Sequence, residues 1–233
     1  MVFMCSFYFG EAIRGVPKRR LYGKINMLCL EKMGAQKIML DFIKSRRSTR
    51  KFQDKKVPAE MVEQVVEAGR YAPSGGNSQS THFIVIENRE VLDKLAAMAK
   101  AEFAKMEVAA DTYRSLANSI NASKNGNYVF HYNCPVLIVT ANKKDYGNNI
   151  ADCSCALENM MLMANSLDLG SVWINQLRWL NENRVLLAAM RELGMEEDDR
   201  VYGALALGYA DSEDGLPCRQ PLERVGNKVT YVR

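Results

Sequence analysis

Between Asn149 and Gly170 the chain reads NIADCSCALENMMLMANSLDLG, with Ile150, Cys153, Leu157, Met160, Met161 and Ala164 recurring at three- and four-residue spacing. A stripe that wide has no flank suited to water, so the helix is expected to be central, ending at a C-terminal Gly170. Two short runs rich in β-branched residues flank it, PVLIVTA before and SVWIN after, and each reads as a strand. A central helix placed between strands, with no internal repeat, makes the chain a mixed α+β domain.

The remaining elements follow the same periodicities. MLDFIKS, from Met39, places Leu40 and Ile43 on one face of a short helix that carries arginines at its C-terminal edge. Pro58 opens a second helix, PAEMVEQVVEAGRYA, whose Met61, Val62, Val65 and Val66 form an apolar face. HFIVIE is short and β-branched enough for a buried strand, and a helix from about Arg89 carries Leu92, Leu95, Ala99 and Phe103 inward. Residues 110–133 are polar and weakly periodic, which predicts a mobile or partly helical excursion, a candidate lid. NENRVLLAAMRELG is expected as a helix capped by Asn181, and RVYGALALGYA as a core strand.

Charge is unevenly spread: residues 1–51 hold twelve Lys/Arg against three Asp/Glu, leaving nineteen against twenty-four in the rest. A basic head on a mildly acidic globule excludes a coat of nucleic-acid-binding charge, and the basic run has no aromatic platform beside it, so no nucleic-acid partner is expected. Residues 1–38 read as an N-terminal extension, either a basic arm or sequence upstream of a physiological start at Met27, Met33 or Met39; residues 39–233 then form the domain proper. The six cysteines show no ligand spacing for zinc or an iron–sulfur cluster, so no metal is expected. Without a secretory signature they fit reduced thiols in a cytoplasm. No apolar stretch approaches the roughly 18 residues of a membrane span, so no membrane partner is expected either.

Three stretches could carry chemistry. Arg46, Arg47, Ser48 and Arg50 in RRSTR supply guanidinium forks and a hydroxyl, the donor set a phosphate monoester asks for, although an exposed basic turn uses the same residues. APSGGNSQ follows about 25 residues on, where glycines let a ligand approach the backbone and Asn77 and Gln79 offer paired amide donors and acceptors; an ordinary helix-to-strand connection has the same composition. Arg219 in GLPCRQPL could return a further cation to the same anion. His82 and His131 sit beside or within apolar runs, and Tyr128, Tyr132, Trp173 and Trp179 lie near strands, so structural roles are expected for all six.

Taken in order, RRSTR, PSGGNSQ, CPVLIVTA, DCSCALENMMLMA, LGSVWI and GYADSEDGLPCRQPL resemble the flavin-dependent nitroreductase family from about Met39 to Leu222. The resemblance implies a central, mainly antiparallel sheet surrounded by helices, in an interlocked homodimer with FMN in two interface pockets. NADH or NADPH would reduce the flavin, and its N5 would pass hydride to an electron-poor acceptor (nitroaromatic, quinone or enone) in a ping-pong cycle. By the same resemblance Arg46, Arg47, Ser48, Arg50 and Arg219 would hold the ribityl phosphate, and Asn77 would face the isoalloxazine edge. Pro73, Ser74, Gly75 and Gln79 would line the pocket, partly from the partner, and Ile174, Asn175, Gln176 and Leu177 would pass near the ring. No side chain need act as acid, base or nucleophile, since the flavin carries the hydride chemistry. A flavin-binding protein for FMN storage or sensing is the alternative. The chain departs from the family pattern at Ser80 and Thr81, where Pro and an aromatic are usual, at Asp168 in place of a glycine, and at Pro217 in place of a basic residue.

Overall fold

The computed structural model describes residues 35–126 and 128–233. The chain divides into two units between Ile43 and Lys44. Of the expected extension, residues 1–38, all but the first turn of helix α1 (Ala35–Ser45) lies outside the described residues. Along α1, Met39, Leu40 and Ile43 are exposed.

The unit Lys44–Arg233 is built on an antiparallel sheet of four strands, β1 (His82–Ile86), β2 (Val136–Lys143), β3 (Gly170–Ile174) and β4 (Asp199–Gly208), in the order β1-β2-β4-β3. The period of two along the central strands sorts their side chains into two cores. Leu137, Val139 and Ala141 of β2 face one core with Val201, Ala204 and Ala206 of β4. Val136 and Ile138 face the other, with Leu205 and Leu207.

Each core is closed by helices. On the first side lie α3 (Arg89–Ala104), α6 (Gln176–Trp179) and α7 (Arg184–Glu192), contributing Leu92, Leu95, Ala99, Phe103, Leu177, Leu186 and Met190. On the second lie α2 (Ala59–Arg70), through Val62 and Val65, and α5 (Asn149–Ser166), through Leu157, Met160, Met161 and Ala164. At roughly 1.5–3 kcal/mol per fully buried large aliphatic, these faces decide where the amphipathic helices lie.

Several expectations are corrected. β1 is an edge strand with Val85 exposed, not a strand buried on both faces. Residues 110–133 take the partly helical form of the two expected, with a helix, α4 (Arg114–Asn125), whose Ile120 is wholly buried in the first core and whose Ser119 accepts from the Tyr128 hydroxyl at 2.8 Å. The period was missed there because Ser119 and Ser123, polar by type, share the buried face. Asn183, not Asn181, caps α7, its Oδ1 accepting from the backbone N–H of Val185 and Leu186. Asn181 instead exchanges hydrogen bonds with the backbone of Val201 at 2.6 and 2.8 Å. Ile150 is partly exposed, and α5 ends at Ser166 with Asp168 in the left-handed region at φ 61°, not at Gly170. Gly170 opens β3, where a Cβ would meet the Thr49 side chain at 2.7 Å.

Candidate functional site

Helix α5 positions both halves of the predicted socket. At its N-terminal end the buried Asp152 carboxylate accepts from the Gly75 backbone N–H at 3.0 and 3.3 Å and from Ser78 Oγ at 3.4 Å. The Tyr146 hydroxyl lies 3.0 Å from both Asp152 Oδ2 and the Gly75 carbonyl oxygen. A negative group in the first turn of a helix is favoured by the helix dipole, and here it also organises the PSGGNSQ loop. The sequence reading assigned no role to Asp152, Tyr146 or Asn148. Only an acid on the apolar helix hinted at the first, and no local pattern marked the other two.

The loop itself is tightly wound. Gly76, Asn77 and Gln79 all have positive φ, at 59°, 55° and 51°. Glycine adopts that region freely and Asn tolerates it, whereas Gln79 stores strain of about 1–2 kcal/mol. The Ser74 hydroxyl accepting from the Gln79 N–H at 3.0 Å helps hold it there. A Cβ at position 75 would overlap Asn148 Nδ2 and sit 2.6 Å from the Tyr146 hydroxyl, so glycine is required for the close approach. Pro73, Ser74, Asn77 and Gln79 line a cavity of about 450 Å³ with Thr81, Phe83 and α5 residues Asp152 and Ala156. Gly75 braces that loop from behind through Asp152.

The arginine run lies elsewhere. Ser48 bridges to Ser171 of β3, with the Thr49 N–H donating to the Ser171 carbonyl at 2.9 Å, so RRSTR runs along the edge of β3. Arg46 Nε is 3.9 Å from Glu158 of α5, and its Nη1 is buried without a hydrogen-bond partner. Arg47 Nη1 donates to the Gln220 carbonyl at 2.6 Å, which ties the C-terminal segment to the run. Ser48 and Arg50 are exposed. Arg219 Nη2 donates to the Asn165 carbonyl at 2.6 Å and to Asp168 Oδ1 at 2.5 Å, at the C-terminal end of α5. Asn165 also donates to Ser45 Oγ at 3.0 Å.

The run and Arg219 thus converge on the C-terminal half of α5, whereas the amide loop sits at its other end. Thirteen residues separate Asp152 from Asn165, or about 20 Å along the axis at about 1.5 Å per residue. None of Arg46, Arg47, Ser48, Arg50 and Arg219 lines the cavity beside Asn77.

The strand-end segment is braced from within the fold. Ile174 and Leu177 are buried in the first core. Asn175 Oδ1 accepts from Trp173 Nε1 at 2.9 Å, and Gln176 Oε1 accepts from the Asn175 N–H at 3.0 Å. Burial raises the Tyr128 pKa above the ordinary phenol value. His131 is wholly buried, with Nε2 3.2 Å from the Leu92 carbonyl, and burial lowers its pKa, as a structural histidine requires. His82 Nδ1 is 3.5 Å from Asp199. Tyr128, Tyr132 and Trp179 pack against the first core and Trp173 against the second.

Comparison with known proteins supplies an independent result. Residues 43–209 match the model of the Nitroreductase family. A nitroreductase of Bacteroides fragilis solved with bound FMN is 34% identical and superposes with a TM-score of 0.71, covering 83% of this chain and 98% of that one. A protein of Archaeoglobus fulgidus, named among the NADH dehydrogenase/NAD(P)H nitroreductases, is 32% identical over 75% of this chain and 86% of its own. The chloronitrobenzene nitroreductase of Comamonas testosteroni is 27% identical over 74% of this chain and 86% of its own.

Proposed function

The chain belongs to the nitroreductase family, and we propose that it is an FMN-dependent NAD(P)H oxidoreductase acting on an electron-poor acceptor such as a nitroaromatic, quinone or enone. The observation that carries the cofactor assignment is Arg46 Nη1, a buried donor without a partner. A buried unsatisfied guanidinium N–H costs free energy unless a ligand accepts from it, and a phosphate oxygen does so with charge assistance. Ser48 and Arg50, exposed beside it, complete a donor set that fits a phosphate monoester. When bound, FMN supplies hydride transfer at N5.

The protein's own part is binding and orientation. Arg46, Ser48 and Arg50 hold the phosphate, with Arg219 beyond them, and Asn77 and Gln79 offer amide edges to a flat heterocycle. Asp152 holds the amide loop in its wound form, and Pro73, Ser74 and Gly75 shape its wall. Asn175 and Gln176 complete the ring side, while Ile174 and Leu177 brace that segment from the core.

The separation of about 20 Å along α5 between the amide loop and the C-terminal cluster supports a homodimer in which one copy supplies the phosphate donors and the other the amide loop. The exposed apolar residues Met39, Leu40 and Ile43 of α1 suit the same arrangement. We further take residues 39–233 as the flavin-binding domain. The free thiols Cys134, Cys153, Cys155 and Cys218 suit a cytoplasmic setting. No described helix is long and apolar enough to cross a membrane.

Purification tests the proposal directly. The expected result is a yellow protein whose extracted chromophore is FMN and whose visible absorbance bleaches anaerobically with NADH or NADPH. A protein that stays colourless after incubation with FMN overturns it. Bound FMN that neither nicotinamide bleaches leaves a flavin-binding protein without turnover.

A further inference from the structure

Asp168 occupies the left-handed position that ends α5, at φ 61°. Glycine or asparagine makes that turn at least as easily, so the backbone does not call for a carboxylate there. What the carboxylate does is take Arg219: Oδ1 lies 2.5 Å from Nη2, with the two side chains 19% and 32% exposed. The same Nη2 meets the Asn165 carbonyl, one of the last of α5, where the helix dipole is negative. The cation that the phosphate reading assigns to the cofactor is therefore already held by a carboxylate and a backbone carbonyl. Glu158 likewise stands 3.9 Å from Arg46 Nε.

We propose that Asp168 is a built-in competitor for the cofactor phosphate, engaging Arg219 and holding FMN affinity below what the arginine cluster would otherwise give. The inference rests on the FMN reading above. A phosphate approaching Arg219 must share it with a carboxylate of the same sign, and like charges a few ångströms apart repel through an environment that is partly screened by water. Removing the carboxylate relieves that repulsion, while the Asn165 carbonyl keeps Arg219 in place.

The test compares FMN with riboflavin, which has the same ring and no phosphate, by quenching of flavin fluorescence in wild type, Asp168→Asn and Asp168→Gly. Both replacements suit a positive φ, and unfolding midpoints confirm that each variant is folded. Expected is an FMN Kd about tenfold lower in both variants at low salt, equivalent to about 1.4 kcal/mol, a gain that shrinks as salt rises, and an unchanged riboflavin Kd. FMN binding that is unchanged or weaker in the variants, while wild type binds FMN, overturns the competition and leaves the cofactor assignment standing. An equal gain for riboflavin also overturns it, because the effect then lies at the ring. Absence of FMN binding in all three proteins overturns both.

Discussion

Replacing Asp152 with alanine tests how the amide loop is held. The carboxylate is 6% exposed and accepts from the Gly75 N–H at 3.0 Å, with the Tyr146 hydroxyl at the same distance. Two charge-assisted bonds are worth about 3–6 kcal/mol gross at about 1.5–3 each. Against that stands the desolvation of a buried carboxylate, several kcal/mol that the variant no longer carries. The variant also strands the Gly75 N–H, at about 1–3 kcal/mol, and loses about 0.3–1 kcal/mol of favourable interaction with the α5 dipole. We expect a net destabilisation of about 2–3 kcal/mol for Asp152→Ala and about 1 kcal/mol for Asp152→Asn, whose amide oxygen still accepts from Gly75. Urea unfolding at pH 7, with midpoints and slopes compared, measures both. Because the loop loses its anchor, FMN affinity should fall alongside stability. An alanine variant within about 0.5 kcal/mol of wild type, or an asparagine variant worse than alanine, would refute the clamp.

Arg46→Ala with Arg50→Ala should weaken FMN binding by about 3–6 kcal/mol at about 1.5–3 per charge-assisted contact, measured by flavin fluorescence. Thermal stability of the flavin-free protein should hardly move, because Arg46 Nη1 has no hydrogen-bond partner to lose and the Nε–Glu158 contact is long, at 3.9 Å; full FMN occupancy in the double variant sinks the phosphate assignment. His131, its pKa lowered by burial, stays neutral in the fold, while the unfolded chain takes up a proton below about pH 6.5. Stability should therefore fall as pH drops through that value, by at most about 1.4 kcal/mol per pH unit from this group, and His131→Gln should flatten the slope in pH-dependent urea titrations. Burial pushes the Cys134 and Cys153 thiols up to about 12, so among the described cysteines only Cys155 and Cys218 should alkylate readily in the native protein at pH 8. Peptide mass spectrometry after a timed iodoacetamide pulse checks this, and rapid labelling of Cys153 would contradict its burial.

The sequence by itself determined the elements and the family. Hydrophobic period is a local property, so the α5 stripe, the β-branched runs and the amphipathic face of α2 could be read without knowing what covers them. The six motifs were legible for a related reason: RRSTR and PSGGNSQ each keep their chemistry within a few adjacent residues. Tertiary structure decided what no window of adjacent residues contains. Asp152 reaches Gly75 across 77 positions and Arg219 reaches Asp168 across 51, and pairings at that range have no periodic signature in the chain. Burial of polar residue types blurred the period of α4, and a competing cap moved the start of α7 from Asn181 to Asn183. Placement along α5 set the arginine run and the amide loop toward opposite ends of one helix, because a run of residues specifies which donors exist while only the packed fold specifies which of them face the same space.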